Sequence, residues 1–200
     1  MTIYDLKPAF QAVLRPSCRA LVRAGFTANQ VTIAAMVLSV LVGGLFALNP
    51  TRAWAALLIP AWLFLRMALN AIDGMMAREH DMQSPLGGFL NELTDVGSDA
   101  ALYLPFALVP GISAELIILI VFASLHVEMT GVVAVLVGAS RRYDGPMGKS
   151  DRAFVFGLLG LLIALGVPLQ PWVNPALAVV AALAAWTIIN RARGGLRELS

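Results

Sequence analysis

The chain has few charged residues and long stretches that contain none. Charged side chains make up 13% of the 200 residues and hydrophobic ones 59%, whereas soluble domains have about 25% charged residues. This composition argues against a soluble fold, and the long apolar runs indicate membrane-spanning helices. The formal net charge is only +2, which gives no reason to expect nucleic acid as a partner.

Cysteine is nearly absent as well. Cys18 is the single cysteine, so no internal disulfide can form and thiol chemistry has little support. We expect no cleavable signal peptide, because basic residues interrupt the apolar residues of the first 25 positions. The internal repeat typical of many transporters is not visible either. A single membrane domain spanning residues 1–200 accounts for the length.

The hydrophobic pattern predicts an all-α integral membrane protein with six transmembrane helices preceded by an amphipathic interfacial helix. Segment 3–24 is basic and amphipathic, is interrupted by Pro8 and Pro16, and is expected to lie on the membrane surface. A frayed arm is the alternative. Thr27 or Asn29 is the predicted cap of the first span. The six spans are predicted at 29–48, 53–72, 86–108, 114–137, 153–167 and 175–189, and the tail 190–200 is polar.

The basic residues are distributed unequally between the two sides of these spans. Arg52 is the only one on one side. The other side has the basic N-terminal arm, Arg78, the loop 138–152 and the tail. The positive-inside rule therefore predicts that both termini lie in the cytoplasm.

Polar residues that are costly at membrane depth cluster at the end of the second span and the start of the third. Helical spacing predicts two stripes of oxygen-bearing side chains, Asn70 with Asp73 and then Asn91 with Asp95 and Asp99. Oxygen ligands on two adjacent helices suit a hard divalent cation such as Mg²⁺. The alternative is that these residues are helix caps and interfacial polar groups.

Small residues and one arginine accompany the two stripes. Gly74, Ala77 and Gly87 lack bulk, so a phosphate ligand can approach the backbone closely there. Arg78 is placed to pair with phosphate oxygens.

This stretch resembles the signature of the CDP-alcohol phosphotransferase family. That signature reads Asp-x-x-Asp-Gly-x-x-Ala-Arg, eight residues, Gly, three residues, Asp, three residues and Asp. The positions that match it are Asp73, Gly74, Ala77, Arg78, Gly87 and Asp95. The first and third family aspartates are Asn70 and Asn91 here. The predicted layout of spans also resembles the family, so the resemblance covers most of the chain.

The resemblance implies a metal site and a catalytic base. In the family, four aspartates hold two divalent metals, and the last aspartate also takes a proton. The implied metal residues here are Asn70, Asp73, Asn91 and Asp95, holding one or two Mg²⁺ or Mn²⁺ ions, with Asp95 as the catalytic base. A shifted register is the alternative, in which Asp95 and Asp99 are the third and fourth aspartates and Asn91 replaces the second glycine.

The resemblance also implies a set of substrate-binding residues. They are Asn29, Thr32, Gly74, Ala77, Arg78, Ser84, Gly87, Lys149 and Arg152. Lys149 and Arg152 would receive a phosphate from a cytoplasmic loop, and ordinary positive-inside charges are the alternative for these two.

The implied activity is transfer of a phosphatidyl group from CDP-diacylglycerol to a small alcohol or polyol acceptor, with release of CMP, in phospholipid biosynthesis. The expected place is the bacterial inner (plasma) membrane, with the active site facing the cytoplasm, membrane lipids around it and a homodimer as the assembly. One alternative is an inactive relative that binds nucleotide-lipid or a partner. The other is a small ion-coupled transporter that uses Asp73, Asp95, His126 and Glu128. His126 and Glu128 are two residues apart and so point about 200° away from each other on a helix.

Overall fold

A computed structural model describes residues 3–200, with side chains from residue 10 onward, and this part of the chain folds into seven α-helices and no strands. The helices are α1 (Ile3–Arg23), α2 (Ala28–Leu48), α3 (Ala53–Glu79), α4 (Pro85–Tyr103), α5 (Ala114–Leu136), α6 (Lys149–Ala164) and α7 (Val173–Leu199). A 3-10 turn, Leu104–Leu108, continues α4. The all-α prediction is confirmed.

Four helices of the described chain are long and apolar enough to cross a membrane, namely α2, α3, α5 and α7. The other two predicted spans differ from them in length or composition. Helix α4 contains Glu92, Asp95 and Asp99, and α6 has only 16 residues. Large apolar side chains lie exposed along the spans, such as Leu48 and Leu136, which are 81% and 82% exposed. A surface of this kind is typical of contact with lipid. The layout of six spans stays a prediction.

The helices differ from the predicted segments in three places. Helix α1 continues through Pro8 and Pro16 without interruption. Helix α6 begins at Lys149, because the Asp151 carboxylate accepts a hydrogen bond from the Gly148 backbone N–H at 2.9 Å and so closes the helix start. The polar tail is not separate from the last span, because α7 continues to Leu199.

The helices pack closely where small residues face a neighbouring backbone. Helix α2 packs against α3 and α4, α3 also packs against α1 and α6, and α5 packs against α4 and α7. A Cβ atom on Gly43 of α2 would overlap the Ala101 carbonyl of α4. A Cβ atom on Gly160 of α6 would lie 3.0 Å from the Ala56 carbonyl oxygen of α3. Small residues at such crossings are typical of helix packing in membranes.

Aromatic contacts, a second apolar cluster and a helix cap hold the helices in place. Tyr103 stacks on Phe156 with ring centroids 4.1 Å apart, and Phe46 meets Phe106 edge to face at 4.9 Å. A second apolar cluster joins Cys18 of α1 to the last turns of α3. Thr27 caps α2 through a capping box with Gln30, which confirms one of the two predicted caps. The second cluster also contains Ala28 and Val31, so it holds the start of α2 beside the end of α3.

Candidate active site

A cavity of about 350 Å³ lies between the start of α2, the end of α3 and the start of α4. Nine of the residues predicted for the site line it: Asn29, Thr32, Asp73, Gly74, Ala77, Arg78, Ser84, Gly87 and Asn91. Most of the signature positions share this cavity, because α3 and α4, the two helices that contain them, both pack against α2. Asn70 and Asp95 do not line it.

Asp73 is the buried carboxylate of the cavity. It is 6% exposed, and its Oδ2 atom accepts a hydrogen bond from the Thr32 hydroxyl at 2.7 Å. No Lys or Arg nitrogen among the side chains of residues 10–200 lies within 4.0 Å of its oxygens. A buried carboxylate without a cationic partner is costly, so Asp73 is a natural ligand for a cation that enters the cavity.

Arg78 lies one turn after Gly74 on the wall of the same cavity. A Cβ atom on Gly74 would lie 3.1 and 3.2 Å from the two terminal guanidinium nitrogens of Arg78. The glycine therefore makes room for the guanidinium beside Asp73. Within the described side chains Arg78 has no ion-pair partner, which leaves its fork of donors available to an anion.

The start of α4 closes the other side of the cavity. Ser84 caps this helix by accepting a hydrogen bond from the Gly87 backbone N–H at 3.0 Å. A Cβ atom on Gly87 would lie 2.9 Å from the Asn29 side-chain oxygen, so a larger residue there would require the Asn29 side chain to move. The N-terminal end of a helix favours negative charge. The cavity wall is therefore suited to phosphate on two sides.

Asp95 lies outside this cavity and is already paired with cations. Its Oδ1 atom is 3.2 Å from Arg66 and 3.3 Å from the Asn70 amide nitrogen. Its Oδ2 atom is 2.5 Å from Lys149 Nζ. A second cavity of about 150 Å³, lined by Arg66, Asn70, Lys149 and Ser150 among others, opens beside these groups. The site prediction omitted Arg66, although its position one turn before Asn70 was a signal.

Arg152 lies deeper than predicted and does not line either cavity. It is fully buried, and it donates hydrogen bonds to Asp99, Glu128 and the Met147 carbonyl at 3.0, 3.0 and 3.1 Å. These contacts occupy its terminal nitrogens, so in this structure it cannot meet a substrate phosphate. Asp99 also pairs with Arg66 at 2.6 Å.

Glu128 is the centre of this buried network. Besides Arg152 it contacts Arg191 at 3.2 Å and Arg141 at 3.3 Å. Sequence reasoning left Glu128 and Arg191 without a role in the site, although a carboxylate in the middle of a span was a signal. His126 lies on the exposed face of the same helix, as its spacing predicted, with its ring nitrogen 2.8 Å from the Phe122 carbonyl oxygen.

The oxygen donors at the cavity fit a hard divalent cation. The side chains that line it include the Asp73 carboxylate, the Thr32 hydroxyl and the Asn91 amide, and such oxygens are the ligands that Mg²⁺ and Mn²⁺ prefer. In the described part of the chain no cluster of three or more His, Cys, Asp or Glu residues forms a metal site. The asparagines at positions 70 and 91 are one reason for this.

Comparison with known proteins identifies the chain. A family model described as CDP-alcohol phosphatidyltransferase matches residues 26–189. The chain belongs to the CDP-alcohol phosphatidyltransferase family. This confirms the resemblance seen in the signature, and the family consists of enzymes of phospholipid biosynthesis that act in membranes.

The chain is similar to two curated proteins over most of its length. The chain is 46% identical to the inner membrane protein YnbA of Escherichia coli over 196 residues, which cover 98% of this chain and 97% of that one. It is 32% identical to an archaetidylinositol phosphate synthase of Aeropyrum pernix over 155 residues, which cover 72% and 76% of the two chains.

Solved structures of another protein have the same fold. The phosphatidylinositol phosphate synthase of Mycobacterium tuberculosis with CDP-DAG bound matches with a TM-score of 0.72 at 21% identity, covering 92% of this chain and 94% of that one. Its complex with manganese and citrate matches with a TM-score of 0.68 at 23% identity, covering 92% and 88%. At this identity the likeness establishes the fold.

Proposed function

We propose that the protein transfers a phosphatidyl group from CDP-diacylglycerol to a small alcohol or polyol and releases CMP. The supporting observation is that one cavity contains Asp73, a buried carboxylate, and Arg78, a guanidinium, neither with an ion-pair partner among the described side chains. A metal-bound pyrophosphate needs this combination, because the carboxylate holds the cation and the guanidinium pairs with phosphate oxygens.

The nucleotide end of the substrate is proposed to bind between α2 and the start of α4. Asn29, Thr32 and Ser84 would face it, and Arg78 would pair with its phosphates. Asp73, with Asn70, Asn91 and Asp95 nearby, would hold Mg²⁺ or Mn²⁺. A divalent ion bound there would supply neutralisation of the pyrophosphate charge and of the leaving oxygen.

The acceptor is proposed to bind in the second cavity, beside Asp95. An alcohol there would lie next to the Asp95 carboxylate, which takes the hydroxyl proton as general base. The oxygen then bonds to the phosphorus of the phosphatidyl group, and the bond between that phosphorus and the oxygen of CMP breaks. Arg66 and Lys149 line this cavity, and their charges would favour an acceptor that has a phosphate group.

The buried network favours the unshifted reading of the signature. Asp99 is 5% exposed and is held by Arg66 and Arg152, so it is not open to a ligand. We therefore assign the fourth aspartate position to Asp95. We also assign Lys149 rather than Arg152 to the acceptor, because Lys149 lines the second cavity, whereas Arg152 is fully buried and lines neither of these two cavities.

The proposed arrangement in the membrane follows from the helices. Helix α4 with its 3-10 turn and helix α6 complete six spans within one domain of residues 1–200, and α1 lies at the interface. The charge distribution puts both termini and both cavities at the cytoplasmic face. The inner membrane is the proposed location, as the name of the Escherichia coli relative states for that protein, and a homodimer is the proposed assembly.

One rival function has specific support. Asn70 and Asn91 remove two charges from the metal positions, so the chain could bind nucleotide-lipid without turning it over. The transporter alternative has less support, because Glu128 is held by Arg152 and Arg191 while His126 points to the opposite, exposed face.

The test is a reaction in proteoliposomes with CDP-diacylglycerol, Mn²⁺ and a panel of glycerol phosphate, inositol phosphate, serine and other polyols. Mass spectrometry would detect CMP and a new phospholipid with one acceptor, and Asp73→Asn would abolish both. The matched control is Asp144→Asn, which changes a carboxylate in the loop between α5 and α6 and should keep activity. Binding of CDP-diacylglycerol without CMP would support the rival, and ion flux without CMP would support the transporter.

A further inference from the structure

The two carboxylates at the signature metal positions have opposite surroundings. Asp73 faces the larger cavity and has no cationic side chain within 4.0 Å among residues 10–200. Asp95 has two, since Arg66 and Lys149 contact its two oxygens at 3.2 and 2.5 Å. The protein's own cations therefore balance the charge of Asp95, whereas the charge of Asp73 is left for a bound cation to balance.

Lys149 is the partner that a second divalent ion would have to displace. Its ammonium reaches from the first residue of α6 to the outer oxygen of Asp95 and is one-third exposed. Arg66 is 3% exposed and is held in place by Asp99 as well. Like charges at such short range repel strongly, so a dication at Asp95 and the Lys149 ammonium exclude each other.

The neutral side chains at positions 70 and 91 match this arrangement. The Asn70 amide donates its N–H to Asp95 at 3.3 Å, which an aspartate could not do. Asn91 lines the larger cavity together with Asp73. With two carboxylates instead of four, one dication and one ammonium leave less uncompensated positive charge than two dications would.

We propose that the site binds a single divalent cation at Asp73, and that the Lys149 ammonium takes at Asp95 the place of a second one. This inference rests on the proposed function for the identity of the ligands. Its test counts bound ions and requires no turnover, so this inference and the proposed function can fail separately. A chain that binds ions as stated but releases no CMP keeps this inference and removes the proposed function.

The experiment titrates the full-length protein in detergent with Mn²⁺, with and without CDP, and measures free Mn²⁺ by electron paramagnetic resonance. The wild type should bind one ion per chain, and Asp73→Asn should weaken this binding at least tenfold. Lys149→Met should bind two ions, because the competing ammonium is gone, while Lys149→Arg should still bind one. Gel filtration checks that each variant remains folded.

Two results would overturn the proposal. Two ions in the wild type would mean that the ammonium does not exclude the second. One ion in Lys149→Met, with wild-type affinity, would mean that Lys149 does not occupy a metal position. A second comparison uses the Asn70→Asp, Asn91→Asp double variant, which restores the carboxylates at positions 70 and 91. Adding Lys149→Met to this double variant should tighten binding of the second ion at least tenfold. An unchanged affinity would also overturn the proposal.

Discussion

Replacing Arg152 by methionine should destabilise the protein more than the same substitution at any exposed arginine. Methionine has a similar length and no charge, so it fills part of the space while removing the donors. Arg152 is 0% exposed and pairs with Asp99 and Glu128, both at 3.0 Å. The substitution therefore breaks two buried ion pairs in a single step.

The expected loss of stability depends on which arginine partners the two carboxylates retain. Removing one partner of a buried pair costs about 3–5 kcal/mol, because the other charge is left uncompensated. Asp99 still has Arg66, and Glu128 still has Arg191. We therefore expect a loss near the lower limit, about 3 kcal/mol in the free energy of unfolding. Arg152→Lys should lose less, because the charge remains but the fork that reaches both carboxylates does not.

The assay is reversible unfolding in mixed micelles with increasing sodium dodecyl sulfate, followed by the fluorescence of the four tryptophans. The matched control is Arg142→Met, since Arg142 pairs with Asp144 and Glu198 at the surface and exposed pairs contribute little. Equal stability of the Arg152→Met and Arg142→Met proteins would refute the structural role of Arg152. In that case its assignment to a substrate phosphate would have to be restored.

Three further predictions concern the two cavities. Asp95→Asn should lower CMP release by about 100-fold or more, the usual contribution of a general base, and wild-type turnover would refute that role. Thr32→Val removes the hydrogen bond to Asp73 and should weaken Mn²⁺ binding about tenfold, corresponding to a bond with a charged group; unchanged binding in a titration would contradict it. Gly87→Ala places a methyl group against the wall of the larger cavity and should weaken binding of CDP-diacylglycerol, whereas Gly88→Ala, with open space around its Cβ position, should not; equal affinities would show that the close approach is unimportant.

The signature residues were predictable because each half of the signature lies on one helix. Once 70–78 and 85–95 are helical, periodicity alone places Asp73 and Ala77 on one face. Their meeting at one cavity needed only that α3 and α4 be neighbours of α2, which short connections favour. Capping was also local, since Thr27 with Gln30 forms a standard sequence pattern.

The buried ion pairs were not predictable in the same way. Arg152 meets Asp99 across 53 residues of sequence, and Arg191 meets Glu128 across 63. Such pairs depend on how α4, α5, α6 and α7 pack, and no periodicity within one helix specifies that. The contacts of the polar tail 190–200 were not predictable for the same reason: Arg191 is buried and donates a hydrogen bond to the Val127 carbonyl at 2.7 Å.

The central claim is that a phosphatidyl group passes from CDP-diacylglycerol to an alcohol at the Asp73 cavity. The most direct measurement uses two preparations of CDP-diacylglycerol, labelled with ³²P either at the phosphorus bonded to diacylglycerol or at the phosphorus bonded to cytidine. With the acceptor found in the panel, the first label should appear in the new phospholipid and the second in CMP, and neither should move in the Asp73→Asn protein. Retention of both labels in CDP-diacylglycerol, or appearance of the first only in phosphatidic acid, would contradict the account.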